Sequence, residues 1–469
     1  MALFESGIRL TCCTRISRTH NYRGELKEAI MSKKPAYANA EPYEAIIIGA
    51  GICGIIFLKY AREQGLRCLA LEKQDAVGGL WNWIPAWQDI QIRKKDFAIN
   101  DVPLDGVKQP DVLQHLRQWV QKYNLAAFIK LQHEVTSVSW MGEEWQVQTN
   151  QATFRANYLI AASGVQNEPW IPDIERSHPD VIERHSSNLL RPEELADQSV
   201  TVVGGGASAW DLLDLAIENG AKDIHWVYRN IRWFIPTHKT KQTVWPNLRE
   251  LSLAQTVMGS MGPVNSFFRR RLKKLFTDFQ LTEVAPAEPL DFRKHQLIPG
   301  RSLAIQNLDS ISRHQTKIRQ VRGREISLEN GEHFETDTLL WGTGYRMNLE
   351  YLDLPEYSGV DTLDGLRPKL GSLIRSLDYP NLFFIGMTLI DISGSTPFFA
   401  AIEAKSIVAH ILGQCEIPNK KIPDHIVRWD LFKYFASFDH ANYPRFWWKI
   451  KNFLLVWWYE VFQNKRVQV

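Results

Sequence analysis

Twice along this chain a short apolar run ends in a cluster of glycines, passes into a stretch with helical spacing, and meets a second apolar run. The first copy has its apolar runs at 44–49 and 66–71, with the helical stretch at 52–64 between them. The second has them at 200–203 and 224–228, with a helical stretch at 207–219 that Gly220 closes from the C-terminal cap position. Short apolar runs bounded by glycine predict buried strands, so each copy reads as a βαβ unit. The same rules predict a helix at 110–123, paired strands at 135–140 and 144–149, and single strands at 158–162, 338–341 and 382–385. A hairpin is expected at 326–338, with Asn330-Gly331 at its turn. Helical patches fall at 267–279 and 403–412, and Pro418 and Pro423 mark 416–424 as a linker into an aromatic tail.

The glycine clusters bring chemistry with them. Gly49-Ala50-Gly51-Ile52-Cys53-Gly54 is GxGxxG between a strand and a helix. In that pattern Gly49 lets the chain turn, Gly51 lets backbone N–H groups approach a pyrophosphate, and Gly54 lets the helix pack close to the sheet. The helix N-terminus offers its partial positive charge to the same phosphates. Glu72 ends the second strand, where an acid binds a ribose 2′-hydroxyl. The bland alternative is a tight turn without a ligand; strand, helix and acid together argue against it. In the second copy, Gly204-Gly205-Gly206-Ala207-Ser208-Ala209 has alanine in the third glycine position, and the following strand runs into Arg229. An acid there would repel a 2′-phosphate, whereas an arginine binds one bidentately. The first loop therefore suits FAD and the second NADPH, the alternative for Arg229 being a surface cation.

Bulk composition changes this picture little. The 469 residues, 45% of them hydrophobic, suffice for two or three domains with buried cores. A formal net charge of +3 calls for neither nucleic acid nor membrane. The five cysteines form no CxxC pair, so neither a zinc knuckle nor a redox disulfide is written, no metal set is read, and reduced thiols fit a cytoplasmic setting. Residues 1–30 carry Arg9, Arg15, Arg18 and Arg23 and read either as an organelle-targeting leader or as an extension ahead of Met31. Glu5, Glu25 and Glu28 favour the extension.

From about Tyr43 to about Leu412 the chain resembles the flavin-containing monooxygenases and the wider class B of two-dinucleotide-domain flavoprotein monooxygenases. The likeness rests on Gly78-Gly79-Leu80-Trp81 after Glu72, on Ala161-Ala162-Ser163-Gly164 and Gly342-Thr343-Gly344-Tyr345, and on Phe384-Ile385-Gly386. Ser208 and Asp211 in the second loop also match, as do Arg229, Trp233 and Pro236. The resemblance implies an α/β fold of two Rossmann-like domains, the NADP domain inserted into a discontinuous FAD domain. It sets an N-terminal extension at 1–42, the FAD domain at 43–165 and 337–415, the NADPH domain at 166–336, and a linker with an aromatic C-terminal helix at 416–469. Gly79, Leu80, Trp81, Val135, Gly164, Gly344 and Gly386 would then join the loop residues as cofactor neighbours. The reaction implied is insertion of one atom of O2 into a small lipophilic amine, thioether or ketone through a flavin C4a-hydroperoxide. Gln91 stands where N-oxygenating members carry asparagine, and with Arg229 it is the catalytic candidate. The family fingerprint before the second loop is altered: His185-Ser186 fit, while Pro179, Val181 and Leu189 occupy its other places. An NADPH-dependent flavin reductase or dehydrogenase of the same fold is therefore the alternative, and a nucleotide-binding regulatory protein a third reading.

Two segments lie outside this plan. Arg269-Arg270-Arg271 with Lys273 and Lys274 reads first as the solvated face of a helix, and no nucleic-acid motif accompanies it. Residues 446–462 include Trp447, Trp448, Trp457, Trp458 and Tyr459. They read as a helix docked on the protein body, with peripheral membrane contact as the alternative. A homo-oligomer is compatible with all of this.

Overall fold

A computed structural model describes residues 41–90, 94–97, 99, 102–235, 262–290, 298–387, 396–419 and 421. The N-terminal extension, the aromatic tail, Gln91 and Pro236 lie outside the described residues. The first strand, β1 (Tyr43–Ile48), is buried from Ala45 onward and runs into helix α1 (Ile52–Glu63). Strand β2 (Cys68–Leu71) lies parallel to β1, helix α2 (Gln109–Lys122) follows, and the two-residue β3 (Ile129–Lys130) extends the sheet beside β2. Then β4 (Val135–Trp140), β5 (Trp145–Thr149) and β6 (Thr153–Ala161) form an antiparallel meander whose last strand returns parallel to β1. Parallel strands covered on both faces should read as unbroken apolar runs, and β1 from Ala45 onward and β2 do.

The second sheet is built from β7 (Ile182–His185), β8 (Ser199–Val203), β9 (Asp223–Val227), β10 (Ile311–His314) and a later strand. Helix α3 (Ala207–Glu218) links β8 to β9, and Gly220, with φ +75°, ends it in the left-handed conformation expected. Helices α4 (Gly262–Asp278) and α5 (Ser302–Gln306) precede β10. A meander of β11 (Ile318–Arg322), β12 (Glu325–Leu328) and β13 (His333–Glu335) carries the Asn330-Gly331 turn. Strand β14 (Thr338–Trp341) completes the sheet in the order β10-β9-β8-β14-β7, all parallel.

Strand β14 lies just beyond the expected boundary at 336/337. A fully buried apolar strand fits either sheet; this one pairs with β8 and β7, so the chain leaves the second sheet only after Trp341. It rejoins the first sheet, where β15 (Leu382–Phe384) lies parallel to β6, and helix α6 (Thr396–Ile411) then packs against α1. Helices α4 and α6 begin earlier than their apolar spacing indicates because Pro263 and Pro397 occupy their first turns, where no N–H is required. Among the described residues no helix is long and apolar enough to cross a membrane. The two passages between sheets lie together: Glu168–Pro169 pairs antiparallel with Tyr345–Arg346.

Candidate functional site

The first glycine loop is shaped by close backbone contacts. A Cβ on Gly54 would lie 2.0 Å from the Gly49 carbonyl oxygen, so only glycine lets α1 approach β1. Gly51 differs: a Cβ there would meet nothing nearer than 3.5 Å. The protein's own packing therefore does not require glycine at 51; the space in front of α1 is left for something else. Helix α1 has no side-chain cap at Gly51 and no acid in its first turn, so its N-terminal N–H groups suit an anion. Glu72 is buried beside the loop, accepting from the Ala50 N–H at 2.6 Å and the Gln74 N–H at 3.0 Å. Burial raises its pKa, and those backbone donors work against the rise. The turn at Gly79–Asn82, holding Leu80 and Trp81, lies against the loop, and Gly78 donates to the Ala50 carbonyl at 3.1 Å. These features fit an FAD pyrophosphate and ribose. Val135 is buried in the core near this edge, where the His133 N–H donates to the Glu72 carbonyl at 2.8 Å.

The second loop repeats the design. Gly206 has nothing within 4 Å of an added Cβ, and α3 likewise starts without a side-chain cap or an acid in its first turn, where Ser208 stands. The indole of Trp226 on β9 holds the Gly204 carbonyl at 2.7 Å. Beyond β9 the chain folds over the loop: the Arg232 N–H donates to the Gly205 carbonyl at 2.9 Å, and a Cβ on Gly205 would lie 2.0 Å from the Asn230 carbonyl oxygen. Arg229, exposed, immediately precedes Asn230 on this bend. Cation and uncapped helix together fit a phosphorylated dinucleotide.

Between the folds lies a polar seam. His185 is buried and bonds the Gly344 carbonyl at 2.9 Å through Nε2 and the Ser187 hydroxyl at 2.8 Å through Nδ1. The carbonyl requires the proton on Nε2, and the Ser187 N–H donates to Nδ1 at 3.2 Å, an arrangement that suits the neutral ring; burial lowers its pKa, with the Gly344 carbonyl opposing. Tyr345 packs edge-on against both His185 and Trp83. From the first fold, Trp87 donates its indole N–H to the Leu189 carbonyl at 2.7 Å, and Gln88 its amide to the Ser186 carbonyl at 3.1 Å. Gly164 and Gly344 both take positive φ in the two passages. Gly386, with φ +69°, ends β15 behind α1.

Comparison with known proteins places this arrangement. The sequence profile described as "Pyridine nucleotide-disulphide oxidoreductase" matches residues 46–269. Over 363 residues the chain is 24% identical to a Baeyer-Villiger monooxygenase of Streptomyces coelicolor, covering 69% of this chain and 68% of that one. It is 26% identical over 219 residues to the FAD-binding monooxygenase hmp7 of Hypomyces subiculosus, a match covering 42% of this chain but only 36% of hmp7. Its fold overlays that of OTEMO, crystallised in complex with FAD and NADP, with a TM-score of 0.63 at 16% identity, covering 80% of this chain and 85% of that one. The chain is similar to flavoprotein monooxygenases in sequence and in fold.

The seam also holds residues that sequence reasoning missed. Arg301, just before α5, bridges Asp211 on α3 and Asp89 of the first fold, the latter at 2.9 Å. Burial works against its charge, but Asp211 and Asp89 more than offset this and hold its pKa above the usual value. Asp211 is pushed up to about 6, by burial first, with Arg301 opposing. Asp214, one turn along α3, accepts from the Ala304 N–H at 2.6 Å and so fixes the segment that carries Arg301. A lone arginine between a glycine and a serine gives no sequence signal; only the fold brings it to two acids. Gln91, the other candidate, lies outside the described residues two positions beyond Asp89.

Proposed function

We propose that this chain is an FAD- and NADPH-dependent monooxygenase that inserts one oxygen atom from O2 into a small lipophilic amine, thioether or ketone. The observation that carries the reading is the contrast between the loops: buried Glu72 bonds to the first, while Arg229 stands exposed on the bend over the second. One suits a ribose without phosphate and the other a ribose with it. When bound, the flavin supplies the hydride acceptance and oxygen activation that side chains lack. The protein's part is binding and shielding. The uncapped starts of α1 and α3 take the pyrophosphates, Glu72 the ribose hydroxyls, and Arg229 the 2′-phosphate. Trp83, His185 and Tyr345 close the seam against water, and Arg301, held between Asp211 and Asp89, ties the two folds together there. Gln91 is the amide assigned to the flavin side.

The reductase reading is favoured by Pro179, Val181 and Leu189 in fingerprint positions. Against it, the seam they border is held by His185 on Gly344 and Trp87 on Leu189. The test is the ratio of oxygenated product to NADPH consumed, with a panel of amines, thioethers and ketones. A monooxygenase gives product and suppresses H2O2 with at least one member. H2O2 matching NADPH throughout, with no product, establishes the reductase reading.

A further inference from the structure

We propose that Glu403 is a positioning residue that must be uncharged for the first glycine loop to hold its dinucleotide, acting through Gly386 and Cys53 rather than by touching the cofactor. The inference rests on the reading that the first fold carries FAD. Glu403 lies on α6 and is 0% exposed. Its Oε2 accepts from the Gly386 N–H at 2.6 Å, and its Oε1 is buried without a hydrogen-bond partner. Gly386 is pressed against α1: a Cβ there would lie 2.1 Å from the Cys53 sulfur. Cys53 is the second residue of α1, so the carboxyl sits behind the helix turn whose N–H groups face the pyrophosphate. A neutral carboxyl suits this site better than a charged one: Oε2 accepts from Gly386, and a proton on Oε1 leaves no buried charge to compensate. An ionised one would put an unpaired buried charge, of the same sign as the pyrophosphate, behind the first turn of α1, where it repels the phosphates and competes with them for the positive end of the helix dipole.

Among the described residues no cation pairs with that carboxyl. Cys53 is the titratable group of α1 that faces it, and burial, then Glu403 itself, raise the thiol's pKa so that it too stays neutral. Lys59 pairs with Glu63 at 2.7 Å, Arg62 bonds the Leu66 carbonyl, and Lys405 lies over the Tyr60 ring. Strand β15 has no titratable side chain, Lys94 bonds the Asp105 carbonyl, and His410 packs on Tyr158 and Phe383. Burial pushes the Glu403 carboxyl up to about 8, with the Gly386 N–H opposing. Ionisation and cofactor binding then oppose each other, and each must shift the other equally.

The experiment follows FAD release from the purified full-length protein by flavin fluorescence between pH 7 and 9.5, for wild type and Glu403→Gln. Glutamine keeps the acceptor for Gly386 and cannot ionise. Wild-type release should accelerate tenfold or more across this range while Glu403→Gln stays flat. Parallel profiles overturn the proposal. A second measurement needs no variant: calorimetry of FAD binding to wild-type apoprotein at pH 8.5, in two buffers of different protonation enthalpy. Proton uptake on binding supports the inference, and its absence overturns it. A wild-type chain that holds no FAD at any pH overturns the proposed function and this inference with it; FAD held without the pH difference overturns the inference alone.

Discussion

At the first loop the helix contributes Gly54, whose missing Cβ clears the Gly49 carbonyl, and the chain leaves the neighbouring strand β6 through Ala162. At the second loop the helix carries Ala209 in the equivalent place, and the chain leaves the neighbouring strand β14 through Gly342. A Cβ on Gly342 would lie 2.8 Å from the Ala209 backbone, and its carbonyl closes on Gly204 as that of Ala162 closes on Gly49. The same approach of helix to sheet is made in both folds by leaving out one methyl group, on opposite partners. The alanine that weakens the second fingerprint is thus matched by a glycine far along the chain.

The comparison breaks hardest at the crowded contacts. Gly54→Ala and Gly342→Ala should each prevent accumulation of soluble folded protein, because a new Cβ would meet backbone under 3 Å away. Ala209→Gly should fold and lose only about 1 kcal/mol by chemical denaturation, the usual cost of glycine in a helix. A well-folded Gly342→Ala protein would refute the exchange of partners. Next come the roomy positions. Gly51→Val should retain the fold, judged by far-UV circular dichroism and melting, yet lose flavin, while Gly206→Val should lose NADPH binding and keep its flavin. Full flavin occupancy in Gly51→Val would remove the dinucleotide from the first loop.

Smaller effects sharpen the contrast in charge. Arg229→Ala should raise the KM for NADPH roughly tenfold or more, since a charged hydrogen bond is worth about 1.5–3 kcal/mol, and leave NADH nearly unchanged. Equal losses with both would show that Arg229 does not read the phosphate. The smallest effect lies in the seam. Asp211, raised to about 6, binds its proton more tightly folded than unfolded, so its contribution to stability falls as pH rises from about 4 through 6. Asp211→Asn should melt progressively higher relative to wild type across that window, by at most about 1.4 kcal/mol per pH unit. A difference that does not change with pH would mean that Arg301 keeps Asp211 ionised throughout.

Local signals were legible in the sequence where local physics decides. The periodic strands and helices around both loops stand within a few residues of expectation, and Glu72 and Arg229 follow from the ends of β2 and β9. The sheet to which β14 belongs was not legible, because a four-residue buried run carries no mark of its neighbour. Arg301 was hidden because its partners lie 90 and 212 residues away. Glu403 was hidden for another reason: an acid at a helical position reads as surface, and only the packing of α6 on α1 shows it to be interior.

The pairing of Glu168–Pro169 with Tyr345–Arg346 means that the two strands entering and leaving the second fold are stitched side by side. Two separate tethers would pin a body at two points, and a single tether would let it tumble. A stitched pair behaves as a strap hinge: it permits swing about one line and resists twist and translation. Motion of the second fold would then be least at Gly344 and grow with distance from it, so a substitution near the strap changes how freely the fold swings, and one far from it changes where the swing stops.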